Sequence, residues 1–147
     1  MDKYFINTNT LMILPYENKS KVVEKYITYI INKTPMEIID DSCKNYGSSF
    51  VGRCDSTYFL TGVKYKCPII ISETKEIIMF PTKSAKSNCC IWINFKAIDI
   101  FYTIDSSNVK IILINNQKYN INISSRIISN QIFKSSRLES VLKSKNR

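Results

Sequence analysis

This chain has no histidine, which removes Ser-His and Cys-His dyads together with the commonest neutral general base and argues against hydrolysis through Cys43. Glycine occurs three times, at Gly47, Gly52 and Gly62, and that spacing reproduces neither G-x-x-x-x-G-K-[ST] nor G-x-G-x-x-G, the two loops that cradle phosphates. The five cysteines are an odd number, and Cys89 and Cys90 are adjacent, so neither a secreted disulfide framework nor a Cys-only zinc site built from separated pairs fits. Reduced, mostly buried thiols are expected. No run reaches the ~18 apolar residues of a membrane span, and the opening MDKYFINTNT lacks the charged segment and apolar run of a signal peptide, so a cytoplasmic protein without a membrane partner is expected. Asp40 and Asp41 are side by side; on a helix they point to different azimuths and make no acid–base pair. Their expected roles are to complement the N-terminus of that helix or to pair with nearby lysines. No enzyme, cofactor or metal is expected from these residues. Alanine appears only at Ala85 and Ala97 amid heavy use of Ile, Asn and Lys, a bias of the kind an AT-rich genome imposes and one without functional meaning.

The chain has 147 residues, of which 44% are apolar; this suits one domain spanning 1–147 with a real core. Lys and Arg number 21 against 12 Asp and Glu, a formal charge of +9, which favours a polyanionic partner. The lysines are spread along the chain and form no single basic run, so the count alone does not locate a site.

All three glycines fall in the stretch TPMEIIDDSCKNYGSSFVGRCDSTYFLTGVKYK, residues 34–66. Thr34-Pro35 is a helix start, a hydroxyl to accept an orphan N–H followed by a residue that lacks one. Met36, Ile39, Cys43 and Tyr46 recur at helical spacing and form the expected apolar face. Gly47 is suited to close this helix in the left-handed region, and Ser48 or Ser49 to cap a second one at once. That second helix is expected to carry Phe50, Cys54 and Tyr58 inward and Arg53 outward and to end near Gly62, with Lys64 and Lys66 just beyond. A helix start with exposed N–H groups and hydroxyls near lysines and an arginine suits a phosphate. The plainer reading is a packed helical hairpin whose basic residues are solvated.

Before this hairpin, short apolar runs at 4–6, 11–14, 22–26 and 29–31 separated by polar turns read as an antiparallel meander, with Pro15 ending its second strand. After it, CPIIIS at 67–72 and EIIMF at 76–80 read as buried strands stopped by Pro81. A polar basic loop at 83–88 leads to CCIWINF at 89–95, where Cys90, Trp92 and Asn94 share one face and Cys89, Ile91, Ile93 and Phe95 the other. Trp92 reads as core; stacking on a base is the sharper alternative. Strands at 97–104, 109–114 and 119–123 follow, the Asn115-Asn116 pair marking a tight hairpin. Ser124 or Ser125 then caps a last helix with Ile128, Ile132, Ser135, Leu138 and Leu142 on its apolar side. Arg126, Lys134, Arg137, Lys143, Lys145 and Arg147 lie on the other, for which a solvated face is the simplest account. The fold class is α+β, short antiparallel strands flanking a central helical hairpin, with a C-terminal helix.

The run IIDDSCKNYGSSFVGR at 38–53 resembles the signature region of the bacterial competence transcription factor family, the ComK proteins. LTGVKYKCPIII at 60–71, IIMFPTKS at 77–84 and CIWI at 90–93 follow in family order. LMILPYENKSKVVEK and NISSRIISNQIFKSSRLESVL are also similar to the family, so the likeness covers nearly the whole chain. The resemblance implies a sequence-specific DNA-binding activator of DNA-uptake genes that recognises paired A/T-rich boxes, mainly through the minor groove, as an oligomer, dimer or tetramer. Minor grooves of A·T pairs are narrow, electronegative and lined by acceptors, which suits Lys, Arg, Asn and Ser donors. The matched S-C-K and Y-G-S-S-F-x-G-R positions imply Lys44, Ser48, Ser49 and Arg53 as DNA contacts, to which charge and proximity in sequence add Lys64 and Lys66. Longer family members continue into a C-terminal tail associated with activation and with a protease adaptor, whereas this chain stops at Arg147. That departure puts activation and adaptor-mediated proteolysis in question. It leaves open, as the alternative, an inactive or short paralogue that sequesters a full-length regulator or another protein partner.

Overall fold

The computed structural model describes residues 1–145; Arg147, assigned above to the basic side of the last helix, lies outside them. In chain order the elements are β1 (Thr10–Tyr16), β2 (Lys19–Glu24), β3 (Thr28–Ile31), α1 (Pro35–Asn45), α2 (Phe50–Thr61), β4 (Ile69–Ser72), β5 (Ile77–Pro81) and β6 (Trp92–Asn94). A short 3-10 turn (Phe95–Ala97) leads to β7 (Ile98–Asp105), β8 (Asn108–Leu113), β9 (Lys118–Ile121) and α3 (Ser125–Lys145). The expected α+β class is what the structure shows.

Two antiparallel sheets form, a six-stranded one in the order β3-β2-β1-β6-β5-β4 and a three-stranded one in the order β7-β8-β9. The long apolar runs of the larger sheet follow from its being covered on both faces. Met12 pairs with Val23 and Ile13 with Val22. Ile13 and Val22 belong to a core shared with Ile38, Ile39 and Cys43 of α1, while Met12 and Val23 belong to a second core with Val109, Ile111 and Leu113 of β8 and Ile128 of α3. The same alternation sends Cys90 and Trp92 to the first core and Ile91, Ile93 and Phe95 to the second, the division read from the sequence. Trp92 is fully buried and meets Phe50 edge-on, ring centroids 6.1 Å apart, which removes it from any stacking surface.

Several boundaries differ from expectation. Residues 4–6 are not a strand; Ile6 is buried, with its N–H on the Ser42 hydroxyl at 2.9 Å, and the Tyr4 hydroxyl bonds Glu24 and Thr10, so side chains hold this segment where a ladder was expected. Pro15 lies within β1 opposite Ser20, and β6 flanks β1 only at Met12 and Ile13, so the missing N–H falls where no ladder needs it. Glu76 has φ 56° and belongs to the turn before β5. The strand expected from Cys89 begins only at Trp92, because Cys90 is still closing a turn through its N–H to Ser87 O.

Candidate nucleic-acid interface

The helical hairpin is built by local chemistry. Thr34 Oγ1 accepts from Glu37 N at 3.3 Å while Glu37 Oε1 accepts from Thr34 N at 3.0 Å, a reciprocal cap on α1. At its other end Gly47 takes φ 91°, and the N–H groups of Gly47 and Ser48 return to the carbonyls of Lys44 and Cys43, each at 3.0 Å. Of the two candidate serines it is Ser49 that caps α2, its Oγ accepting from Gly52 N at 3.0 Å. Gly62, φ 78°, ends α2 as expected.

The start of α2 is not an open anion site. Asp40 Oδ1 accepts from Phe50 N at 2.9 Å, and Asp40 Oδ2 lies 3.0 Å from Lys44 Nζ. The Phe50 N–H first, and the Lys44 ammonium second, hold the Asp40 carboxyl below its ordinary range. A phosphate expected at this helix start would meet a carboxylate already seated there. Asp41 pairs with Lys33 at 2.8 Å, so both acids pair with a nearby lysine as expected, whereas the helix start that Asp40 serves is that of α2 and not of its own helix. Asp40→Ala is expected to cost about 1 kcal/mol at neutral pH, the scale of a lost cap. Because the folded-state pKa is depressed, this contribution is present above the ordinary carboxylate pKa and is lost as pH falls through the folded value. Urea unfolding of both proteins at pH 7 and at pH 3 checks it: the difference between them narrows in acid.

The inward stripe of α2 is Phe50, Cys54, Thr57 and Thr61. Thr57 Oγ1 donates to Pro68 O and Thr61 Oγ1 to Thr57 O, both at 2.7 Å, so the two threonines occupy interior positions with their hydroxyls satisfied. This phase turns Tyr58 outward, 53% exposed, contrary to the expectation that it points in. Arg53, expected outward, is half-buried on the flank of the stripe, its Nε shielded and without a protein partner. Its charge pulls on the Cys43 thiol of α1, which burial nevertheless pushes up to about 12.

The expected contacts therefore form two groups. Lys44, Ser48, Ser49 and Arg53 gather at the turn between α1 and α2. Lys64 and Lys66 follow the far end of α2, whose 12 residues rise about 18 Å. There they join α3: Gln131 Nε2 donates to Lys66 O at 3.0 Å and to Pro81 O at 2.7 Å. Lys134, on the next turn of α3, is close enough to act on the Cys67 thiol. Gln131 was not singled out from sequence, where a glutamine carries no sign of being interior.

All five cysteines are free; Cys89 is exposed, Cys54 half-buried and the other three buried. Burial raises the pKa of Cys43 and Cys90, whereas the neighbouring Cys54 thiol, and to a lesser degree the Lys134 charge, hold Cys67 below the ordinary thiol value. Alkylation at pH 7 is expected to take Cys89 first and to spare Cys43 and Cys90 until the protein unfolds; mass spectrometry of timed quenches checks it. Among the described residues no group of three metal-ligating side chains converges, and no helix is long and apolar enough to cross a membrane.

These elements are those of a small basic α+β protein with cationic groups at both ends of a helical hairpin. The ComK protein family matches residues 1–147, and the chain belongs to that family. It is similar to the competence transcription factor of Bacillus subtilis (strain 168), 30% identical over 138 residues that cover 91% of this chain and 72% of the relative. No solved structure matches it.

Proposed function

We propose that this chain is a DNA-binding regulator of competence transcription that recognises paired A/T-rich boxes largely through the minor groove and acts as an oligomer. The observation that carries this reading is the family match across the whole chain. The charge supports it: of a formal +9, ion pairs among the described residues engage only Lys33, Lys44, Lys96 and Lys143, leaving Lys64 and Lys66 free of them. Lys64 and Lys66 flank a backbone held on α3, a rigid mount for phosphate contacts. The mechanism involves positioning and charge, with no bond made or broken.

The test is titration of an A/T-rich duplex and a mixed-sequence duplex at one fixed salt concentration. Preference for the A/T-rich duplex is expected. Lys64→Gln with Lys66→Gln is expected to weaken both duplexes alike and to make the salt slope shallower by about one unit for each phosphate no longer neutralised. Equal affinity of the unaltered chain for both duplexes contradicts the reading. A second reading, capture of a full-length regulator or another protein partner, draws on the exposed apolar side chains Val51, Tyr58 and Phe59 of α2 and on Tyr65 beyond it. It predicts a stable mixed assembly and no DNA binding by this chain alone.

A further inference from the structure

α3 has 21 residues, about 32 Å of helix. Ile128, Gln131, Ser135 and Leu138 are its buried side. On the opposite side Arg126, Asn130, Phe133 and Arg137 recur at intervals of four, three and four and are all exposed, forming one line along the helix. Phe133, in the middle of that line, is 69% exposed. The one acid in α3, Glu139, is turned to Lys96 at 2.8 Å and Lys143 at 3.7 Å, away from this line. Among the described residues, no carboxylate lies within ion-pair distance of Arg126, Lys134 or Arg137.

A face that only meets water normally mixes both signs of charge, whereas the charges on this one are all positive. A membrane-surface helix needs a broad exposed apolar stripe, and this face offers a single phenylalanine. Its polar groups and its lone apolar group instead match the floor of a DNA groove: an Asn amide donates to adenine N7 and accepts from the N6 amino group, Arg donates to adenine N7 or thymine O4, and an aromatic ring packs on the thymine methyl. A helix with side chains, about 10–12 Å across, enters the major groove and is too wide for the minor one. The Gln131 link brings Lys64 and Lys66 beside the same helix.

We infer that the exposed line of α3 docks in the major groove of the A/T-rich site, with Arg126, Asn130 and Arg137 on base edges, Phe133 against thymine methyls, and Lys64, Lys66 and Lys134 on the flanking phosphates. This rests on the DNA-binding reading above and adds to it a second groove and the element that reads it. Minor-groove contact alone separates mainly A·T from G·C, whereas a helix in the major groove can also tell A·T from T·A.

The test uses the full chain and base analogues that alter only the major groove, uracil for thymine and 7-deazaadenine for adenine. Arg126→Gln with Arg137→Gln is expected to weaken binding to the A/T-rich duplex about tenfold or more, with an unchanged circular dichroism spectrum. Uracil substitution is expected to weaken the unaltered chain but not Phe133→Ala, and 7-deazaadenine to weaken the unaltered chain but not Asn130→Ala, since each pairing removes the same interaction from either side. If the unaltered chain prefers A/T-rich DNA yet neither analogues nor variants change its affinity, the α3 inference is overturned while the regulator reading stands. If the unaltered chain binds no duplex, both fall. All four positions are exposed, so these variants remain folded.

Discussion

Gln131→Leu is expected to lower stability by about 2–3 kcal/mol and to weaken DNA binding, although residue 131 is the least functional-looking position on α3. Gln131 is 1% exposed, and its single amide nitrogen serves two carbonyls, Lys66 O and Pro81 O. Leucine has similar bulk and helix propensity, so packing and helix formation are kept while both acceptors lose their partner. A buried polar group left unsatisfied costs about 1–3 kcal/mol, a sizeable share of the ~5–15 kcal/mol that holds a domain of this kind. The functional loss has a separate cause. Lys66 sits at φ 48°, a conformation an L side chain holds only when its surroundings fix it. With the Gln131 tie gone, the Lys64–Lys66 segment is freed from α3 and must be ordered again on binding. Urea midpoints give the first effect, and titration of an A/T-rich duplex under conditions where the variant is fully folded gives the second. A variant as stable as its parent contradicts the role of Gln131 as a tie, and a destabilised variant with unchanged affinity removes the Lys64–Lys66 segment from the DNA surface.

What could be read from sequence was the chemistry that acts over a few residues. Thr34-Pro35, Gly47, Ser49 and Gly62 bound two helices because caps and left-handed turns are settled between a side chain and its own backbone. Asn116 at φ 69° turned the β8–β9 hairpin for the same reason. The phase of α2 was misread because tyrosine at 58 is more apolar than threonine at 57, and only the distant Pro68 carbonyl makes the threonine an interior residue. Asp40 and Asp41 read as complementing the N-terminus of their own helix or pairing with lysines; that Asp40 instead fills the start of α2 and so closes the expected phosphate site depends on the fold of the turn between the two helices. The pairing of β1 with β6, some 80 residues away, has no local signature. Nor has the convergence of Lys64, Lys66 and α3, which rests on one buried glutamine.

Two A/T boxes on one face of a duplex are expected to bind this protein about 10² more tightly than one. A small domain covers a limited length of duplex, and a minor groove that separates mainly A·T from G·C gives little information per base pair, so repeated engagement multiplies whatever selectivity one domain has. When two subunits are joined, the second box is met at a high effective concentration, which supplies the ~10²-fold gain without any new kind of contact. The gain depends on phase, because inserting ~5 base pairs turns the second box to the far side of the duplex. With phosphate contacts from both subunits the dependence on salt is steep, a slope near −0.9 for each phosphate neutralised. The deciding measurement is a titration of three duplexes, one box, two boxes in phase and two boxes half a turn out of phase, with the stoichiometry of each complex taken by light scattering. The account predicts at least two chains on the in-phase duplex and a marked loss of affinity for the other two. Equal affinity for all three, or one chain per in-phase duplex, contradicts it.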